Sequence, residues 1–442
     1  MIKSFCPGFA VLLALSVTAL SQVTTTEPLP KRSRVVVTNT LPPPTRIVQA
    51  TPKPTPLVVG NDNEENSGPS ENEDADEKPV VVGSATRPMS IDNERSATGF
   101  SNVRTLSFGE IKSKIAEARR DMMTRPQTTA IADPIVPVIT VKVAFYNWKT
   151  QRVDFVSLTK DDFLSTDGLK QAVSTGGKMM TVRTIRGNGV NTPIEIRDDS
   201  GQLQLPLLVQ YPVEKGGRIV ETAYYMSTHP GLVTPEVVNA GRFYVRNVIE
   251  IARDRLKSKG IAIQPKVADI AERLATVEHV DHFRFRNEPA QNIFNDIFTL
   301  YALNEGQTYR YSVSSAGAGG MVQMIPSTYR MMRSRYSTVG LMPDFVEGMR
   351  NHVNATEAML LYMQMTWDDL RSSPTITGAM ADGTATQEQL MAAGYNSNPA
   401  RLAGYINRGG ANWTGLIPAE TKIYLQIYSA LEKNVPMASR TH

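Results

Sequence analysis

Asn304-Glu305-Gly306, a Tyr-rich and Ser-rich connector, and then Ser314-Ser315-Ala316-Gly317-Ala318-Gly319-Gly320-Met321-Val322-Gln323-Met324-Ile325-Pro326-Ser327-Thr328 form the stretch that carries most of the chemical information in the chain. It ends a segment in which Ile293, Ile297, Leu300 and Leu303 recur at helical spacing, and it sets a carboxylate opposite glycines that allow close approach of backbone to a ligand. The negative end of a helix and apolar surroundings both disfavour a charged carboxylate. Both effects favour the neutral form that a general acid needs at Glu305, whereas a glutamate at a helix end is more often simply solvated. The glycines do not make a phosphate-binding loop, because no Lys-Ser/Thr pair follows them and no apolar strand precedes them.

Upstream of this stretch the pattern is helical. Thr234-Pro235 reads as an N-cap with Pro at the first helical position, and Val237, Val238, Gly241, Val245, Val248, Ile249, Ala252 and Leu256 keep helical spacing as far as Gly260. Pro265 opens a second helix through Val267, Ile270, Ala271, Leu274 and Val277, and Pro289 opens the third. Between them, Glu278-His279-Val280-Asp281-His282 places two His three apart without an evident third ligand, so a solvated helix end is expected there and no metal site. Before residue 232 the period changes to two. Runs at 138–146 and 152–158, and at 205–211 and 218–225, flank polar or glycine-bearing turns and predict two hairpins. The expected class is α+β and multidomain, with a β-rich accessory domain over residues 100–232 and a helical domain over 233–442.

The amino terminus reads differently. Residues 1–21 combine Lys3, an apolar run of about a dozen residues and Ala19-Leu20-Ser21, the pattern of a cleaved secretory signal; the run is shorter than the roughly 20 residues of a membrane span, so none is expected after its removal. Residues 22–99 are Pro- and Thr-rich and then acidic, which predicts a solvated tether. Its echoes Pro56-Leu57-Val58-Val59-Gly60 and Pro79-Val80-Val81-Val82-Gly83 are candidate docking strands for an envelope partner. The one cysteine, Cys6, leaves no internal disulfide or multi-cysteine zinc site. The net charge of +4 does not argue for nucleic acid, although outside the acidic block at 61–78 the rest carries about +11, which suits an anionic polymer such as cell wall.

The ordered spacing is more specific than composition. Glu305, Ser314 nine residues on, Gly317-Ala318, Gly320, Gln323, Pro326 and Thr328 resemble the signature of lytic transglycosylases of the soluble, goose-lysozyme-like type. Gly394-Tyr395-Asn396-Ser397-Asn398-Pro399 is similar to that family's Tyr-Asn segment, Pro418-Ala419-Glu420-Thr421-Lys422-Ile423-Tyr424 to its Pro-x-Glu-Thr block, and residues 350–361 to an intervening helix. The resemblance covers about residues 295–430. It implies a lysozyme-like helical domain that cleaves the β-1,4 bond between N-acetylmuramic acid and N-acetylglucosamine in peptidoglycan, in the bacterial periplasm or outside the cell, with no cofactor or metal. In that scheme Glu305 protonates the bridging oxygen and then takes the proton of the muramoyl C6 hydroxyl as it attacks C1, leaving a 1,6-anhydro end. Ser314, Gln323, Tyr395, Asn396 and Glu420 would line the cleft, Tyr395 reaching toward the acid, and Gly317 and Gly320 would close the turn. A hydrolytic muramidase using the same acid and a non-catalytic wall-binding scaffold are the alternative readings. Gly306, Ile325, Thr356 and Asn398 depart from the family pattern; an asparagine at 398 is suited to a positive φ, if the position has one.

Overall fold

The computed structural model describes residues 99–100, 102–124, 139–216, 218–226, 228–306 and 317–441. The expected signal, nearly all of the tether and its two Val-rich echoes, and Ser314 lie outside the described residues. Helix α1 (Phe108–Thr124) precedes a β region made of β1 (Thr140–Asn147), β2 (Arg152–Thr159), the short helix α2 (Lys160–Leu164), β3 (Lys170–Val173), β4 (Met179–Thr184), β5 (Ile194–Arg197), β6 (Leu205–Lys215) and β7 (Arg218–Tyr225). Both expected hairpins form. The strand order β2-β1-β6-β7 makes one antiparallel sheet, and β3-β4-β5 makes a second.

Period-two alternation explains how the larger sheet is used. Val141, Val143 and Phe145 of β1 point to one face and pack with Val182, Ile196, Val209 and Tyr211, whereas Ala144 and Tyr146 point to the other and pack with Ile111, Ile115 and Met122 of α1. These same clusters take in Leu300, Ala302, Leu303 and Val237 from the helical region. The strands and the helices that follow therefore share apolar surface.

The helical region runs through α3 (Pro235–Ser258), α4 (Pro265–Val277), α5 (His282–Asn287), α6 (Ala290–Leu303), α7 (Pro326–Arg335), α8 (Phe345–Arg350), α9 (His352–Arg371), α10 (Pro374–Ala381), α11 (Gln387–Asn396), α12 (Leu402–Gly409) and α13 (Ala419–Asn434). Thr234 caps α3 through its side chain to the Val237 N–H, with Pro at the first position. Gly241 explains how α3 and α6 meet: a Cβ there would lie 1.8 Å from the Phe298 carbonyl oxygen, so the two backbones touch at that point. Helix α9 buries residues on nearly every side, as expected of a helix at the centre of a bundle, and packs against α3, α4 and α11. Thr356 sits fully buried within it. Asn398 has φ of −92°, extended backbone that caps a short 3-10 turn, so the positive φ that would favour asparagine is not present. Trp413 is buried and donates to the Thr384 carbonyl, a packing role. No helix among the described residues is long and apolar enough to cross a membrane.

Candidate active site

Helix α4 positions the principal acid. Its apolar stripe, Val267, Ile270, Ala271 and Leu274, is completely buried, which fixes the helix's rotation, and its C-terminal cap is Glu278. The chain then tightens, with His279 N–H donating to the Thr276 carbonyl and Val280 N–H to that of Val277. Glu278 keeps a partly accessible edge, while Tyr424 from α13 donates its hydroxyl to Oε1 at 2.5 Å. Burial pushes this carboxyl from its ordinary 4.5 up to about 8, the Glu420 carboxylate pushes in the same direction, and the Tyr424 hydrogen bond only partly opposes them. At neutral pH the group holds a proton.

The glycine-rich turn packs beside it. Gly317 and Gly320 have φ of 73° and 76°, and Gln323 adopts a positive φ of 46°, the less common choice for a residue with a side chain. Its side-chain Nε2 donates to the Gly320 carbonyl at 2.9 Å, which helps hold the reversal. Gly320 admits no side chain, because a Cβ would stand 2.7 Å from the Met349 carbonyl oxygen. Two carbonyls of the turn are held from outside it. That of Met321 lies 3.0 Å from His279 Nε2, and that of Val322 accepts from the Tyr395 hydroxyl at 2.7 Å. His279 is buried and edge-on to Tyr301, whose own hydroxyl donates to the Ala275 carbonyl in α4. The residue next to Glu278 thus fastens the turn to the end of α4, and Tyr395 fastens it to α11.

Several sequence-predicted residues meet here. Gly320, Gln323, Tyr395, Asn396 and Glu420 join one constellation, Asn396 through its Oδ1, which accepts from Thr421 Oγ1 at 2.8 Å beside Glu420. Burial, followed by the neighbouring Glu278, raises the Tyr395 hydroxyl well above its ordinary pKa, and burial does the same for Tyr424. Gly317 begins the same turn, with Pro326 beneath it.

Glu305 is placed elsewhere, and the expectation made for it needs correction. Asn304 is buried, exchanging hydrogen bonds with the backbone of Met226, and this turns the next residue outward. The Glu305 side chain is 45% exposed and pairs with Lys112 Nζ of α1 at 3.2 Å. The following Gly306 N–H donates to the Tyr244 hydroxyl, which bonds His352 Nδ1. None of these contacts reaches the turn or Tyr395, and the apolar enclosure expected around Glu305 surrounds Glu278. The solvated helix end expected at 278–282 is likewise replaced by an enclosed acid and a buried histidine. A usable signal existed in the sequence: Glu278 also follows a helix-spaced apolar stripe, but it stands well outside the nine-residue offset that directed attention to Glu305.

Among the described residues no group of three or more His, Cys, Asp or Glu is arranged to hold a metal ion. An enclosed, protonated carboxyl with one hydroxyl donor on Oε1, beside a backbone turn and a second, exposed carboxylate, is suited to general acid chemistry. Comparison of the chain with known protein families, curated proteins and solved structures finds no match.

Proposed function

We propose that this chain is a peptidoglycan lytic transglycosylase, built on a lysozyme-like helical domain, in which Glu278 takes the catalytic role that the motif spacing assigned to Glu305. The observation that carries the reading is the Glu278 carboxyl, raised to about 8 and pinned by Tyr424, at the point where the glycine turn, the Tyr395-Asn396 segment and the Glu420–Tyr424 block converge.

The geometry divides the labour of the two carboxyl oxygens. Oε1 accepts from Tyr424, so the proton resides on Oε2 and is given to the bridging oxygen, which leaves with its sugar as a hydroxyl. As C1 of the muramoyl residue becomes positive, its own C6 hydroxyl attacks, the C6 oxygen–C1 bond forms, and the carboxylate takes the hydroxyl proton. A charged carboxylate holds the Tyr424 hydrogen bond more strongly than a neutral one, which stabilises the ionised form between the two transfers. His279 and Tyr395 hold the turn at a fixed height beside the reacting bond. No metal or cofactor enters this scheme. The expected secretory signal supports a location in the bacterial envelope, where the Val-rich echoes of residues 22–99 would meet an envelope partner.

A second reading has one observation in its favour. Glu420 is exposed, and its charge is felt at Glu278. A carboxylate so placed can orient water, which would make the reaction a hydrolysis by two acids. Digestion of purified sacculi followed by mass analysis of the soluble muropeptides separates the two: anhydro ends are lighter than reducing ends by one water. Release of anhydro ends supports the transglycosylase, reducing ends support the muramidase, and no release at all removes both.

A further inference from the structure

A groove of about 470 Å³ opens between the first turns of α3, the start of α6 and the end of α13, lined by Phe100, Asn239, Arg242, Gln291, Asn295 and Asn434 together with Pro235 and Val238. It is separate from the Glu278 site. Glu420 and Asn434 stand at opposite ends of α13, about 21 Å apart at the rise of an α-helix.

Its chemistry is selective. Four of its side chains are carboxamides; Asn239 and Asn434 are exposed and Gln291 is half-buried, and these offer a donor and an acceptor at fixed separation, the complement of neighbouring hydroxyl and acetamido groups, while Asn295 is buried beneath them. Gln291 Nε2 donates to Asn295 Oδ1 at 2.8 Å, which fixes the orientation of both amides. The half-buried ring of Phe100 provides an apolar wall. Arg242 supplies the only cation of the lining; it donates to the Pro436 carbonyl and has no carboxylate partner among the described residues. One unneutralised cation does not suit a polyphosphate backbone, which calls for several. It suits a polar ligand carrying an isolated carboxylate, and the volume matches that of a small-ligand site.

We propose that this groove is a second, non-catalytic site for an amino-sugar polymer bearing carboxylates, that is, for a peptidoglycan strand held at a distance from the reacting bond. The inference shares the polymer with the proposed function but does not depend on Glu278 being the acid. Glycan engaged at both places dissociates slowly, because release at one leaves the other in contact.

Co-sedimentation with purified sacculi tests it, using the whole chain carrying Glu278→Gln together with Glu305→Gln so that the polymer stays intact whichever glutamate is the acid. Adding Asn239→Ala with Arg242→Gln is expected to weaken binding at least tenfold. Asn239→Trp, which fills the mouth from an exposed position and removes no internal bond, is expected to do the same and guards against loss through misfolding. With Glu278 and Glu305 both restored, both groove variants should cleave short soluble glycan strands at the unmodified rate. Binding that is unchanged in both variants overturns the site, as does a parent that fails to sediment with sacculi, and either result leaves the cleavage assay to judge the catalytic reading independently. A neutral N-acetylglucosamine hexamer should compete weakly; competition equal to that of peptidoglycan strands would overturn the role given to Arg242.

Discussion

Replacing Glu278 with Gln keeps the shape and the hydrogen bond from Tyr424 while removing the ionisable group, and the consequence for stability follows from linkage. Between the carboxyl's ordinary pKa of 4.5 and about 8 the native protein holds a proton that the unfolded chain has released. Stability therefore falls as pH rises across that window and levels off above it. The full shift corresponds to roughly 5 kcal/mol as an upper bound. The edge of Glu278 that remains in contact with water reduces the expected loss to about 2–4 kcal/mol. Glu278→Gln carries no such penalty. Urea unfolding of the two proteins at pH 5 and pH 9 should show Glu278→Gln gaining about 2–4 kcal/mol on the parent at the higher pH, with equal slopes against denaturant. Parallel behaviour of the two proteins, with their difference constant within about 0.5 kcal/mol between the two pH values, would refute the enclosed acid.

Tyr424→Phe removes the donor that favours the carboxylate, so the pKa of Glu278 should rise further; the alkaline limb of the lysis profile moves to higher pH while the rate at pH 7 drops about tenfold, as measured by turbidity loss of sacculi. Gly320→Ala places a Cβ against the Met349 carbonyl at positive φ and should cost about 1–3 kcal/mol in denaturant unfolding. Tyr395→Phe leaves the Val322 carbonyl without its donor, with an expected loss of about 1–3 kcal/mol and a larger fall in activity than in stability, read by comparing kcat with unfolding free energy.

Periodicity made much of the fold legible. The two hairpins and the helices opened by Pro235, Pro265 and Pro289 follow from alternation, caps and Pro placement, all local signals. The convergence of the Gly320 turn, Tyr395, Asn396 and Glu420 was readable from ordered spacing. The choice between two glutamates was not, because each follows a helix-spaced apolar stripe and only Glu305 stands at the motif's nine-residue offset. What separates them is tertiary: the Asn304–Met226 hydrogen bonds turn Glu305 out toward Lys112, and the α13 tyrosine closes over Glu278 from about 146 positions away. The apolar surface shared by the strands and helix α6 is also invisible locally, since Leu300 and Leu303 show the same helical spacing whether they face another helix or a sheet.

Muropeptide release from sacculi by three matched proteins bears most directly on the assignment of the acid. The unmodified chain and Glu305→Gln should liberate anhydro-ended fragments at similar rates, since the Lys112–Glu305 pair is a surface contact worth under about 1 kcal/mol, whereas Glu278→Gln should liberate none. An active Glu278→Gln protein beside an inert Glu305→Gln protein would contradict the account outright.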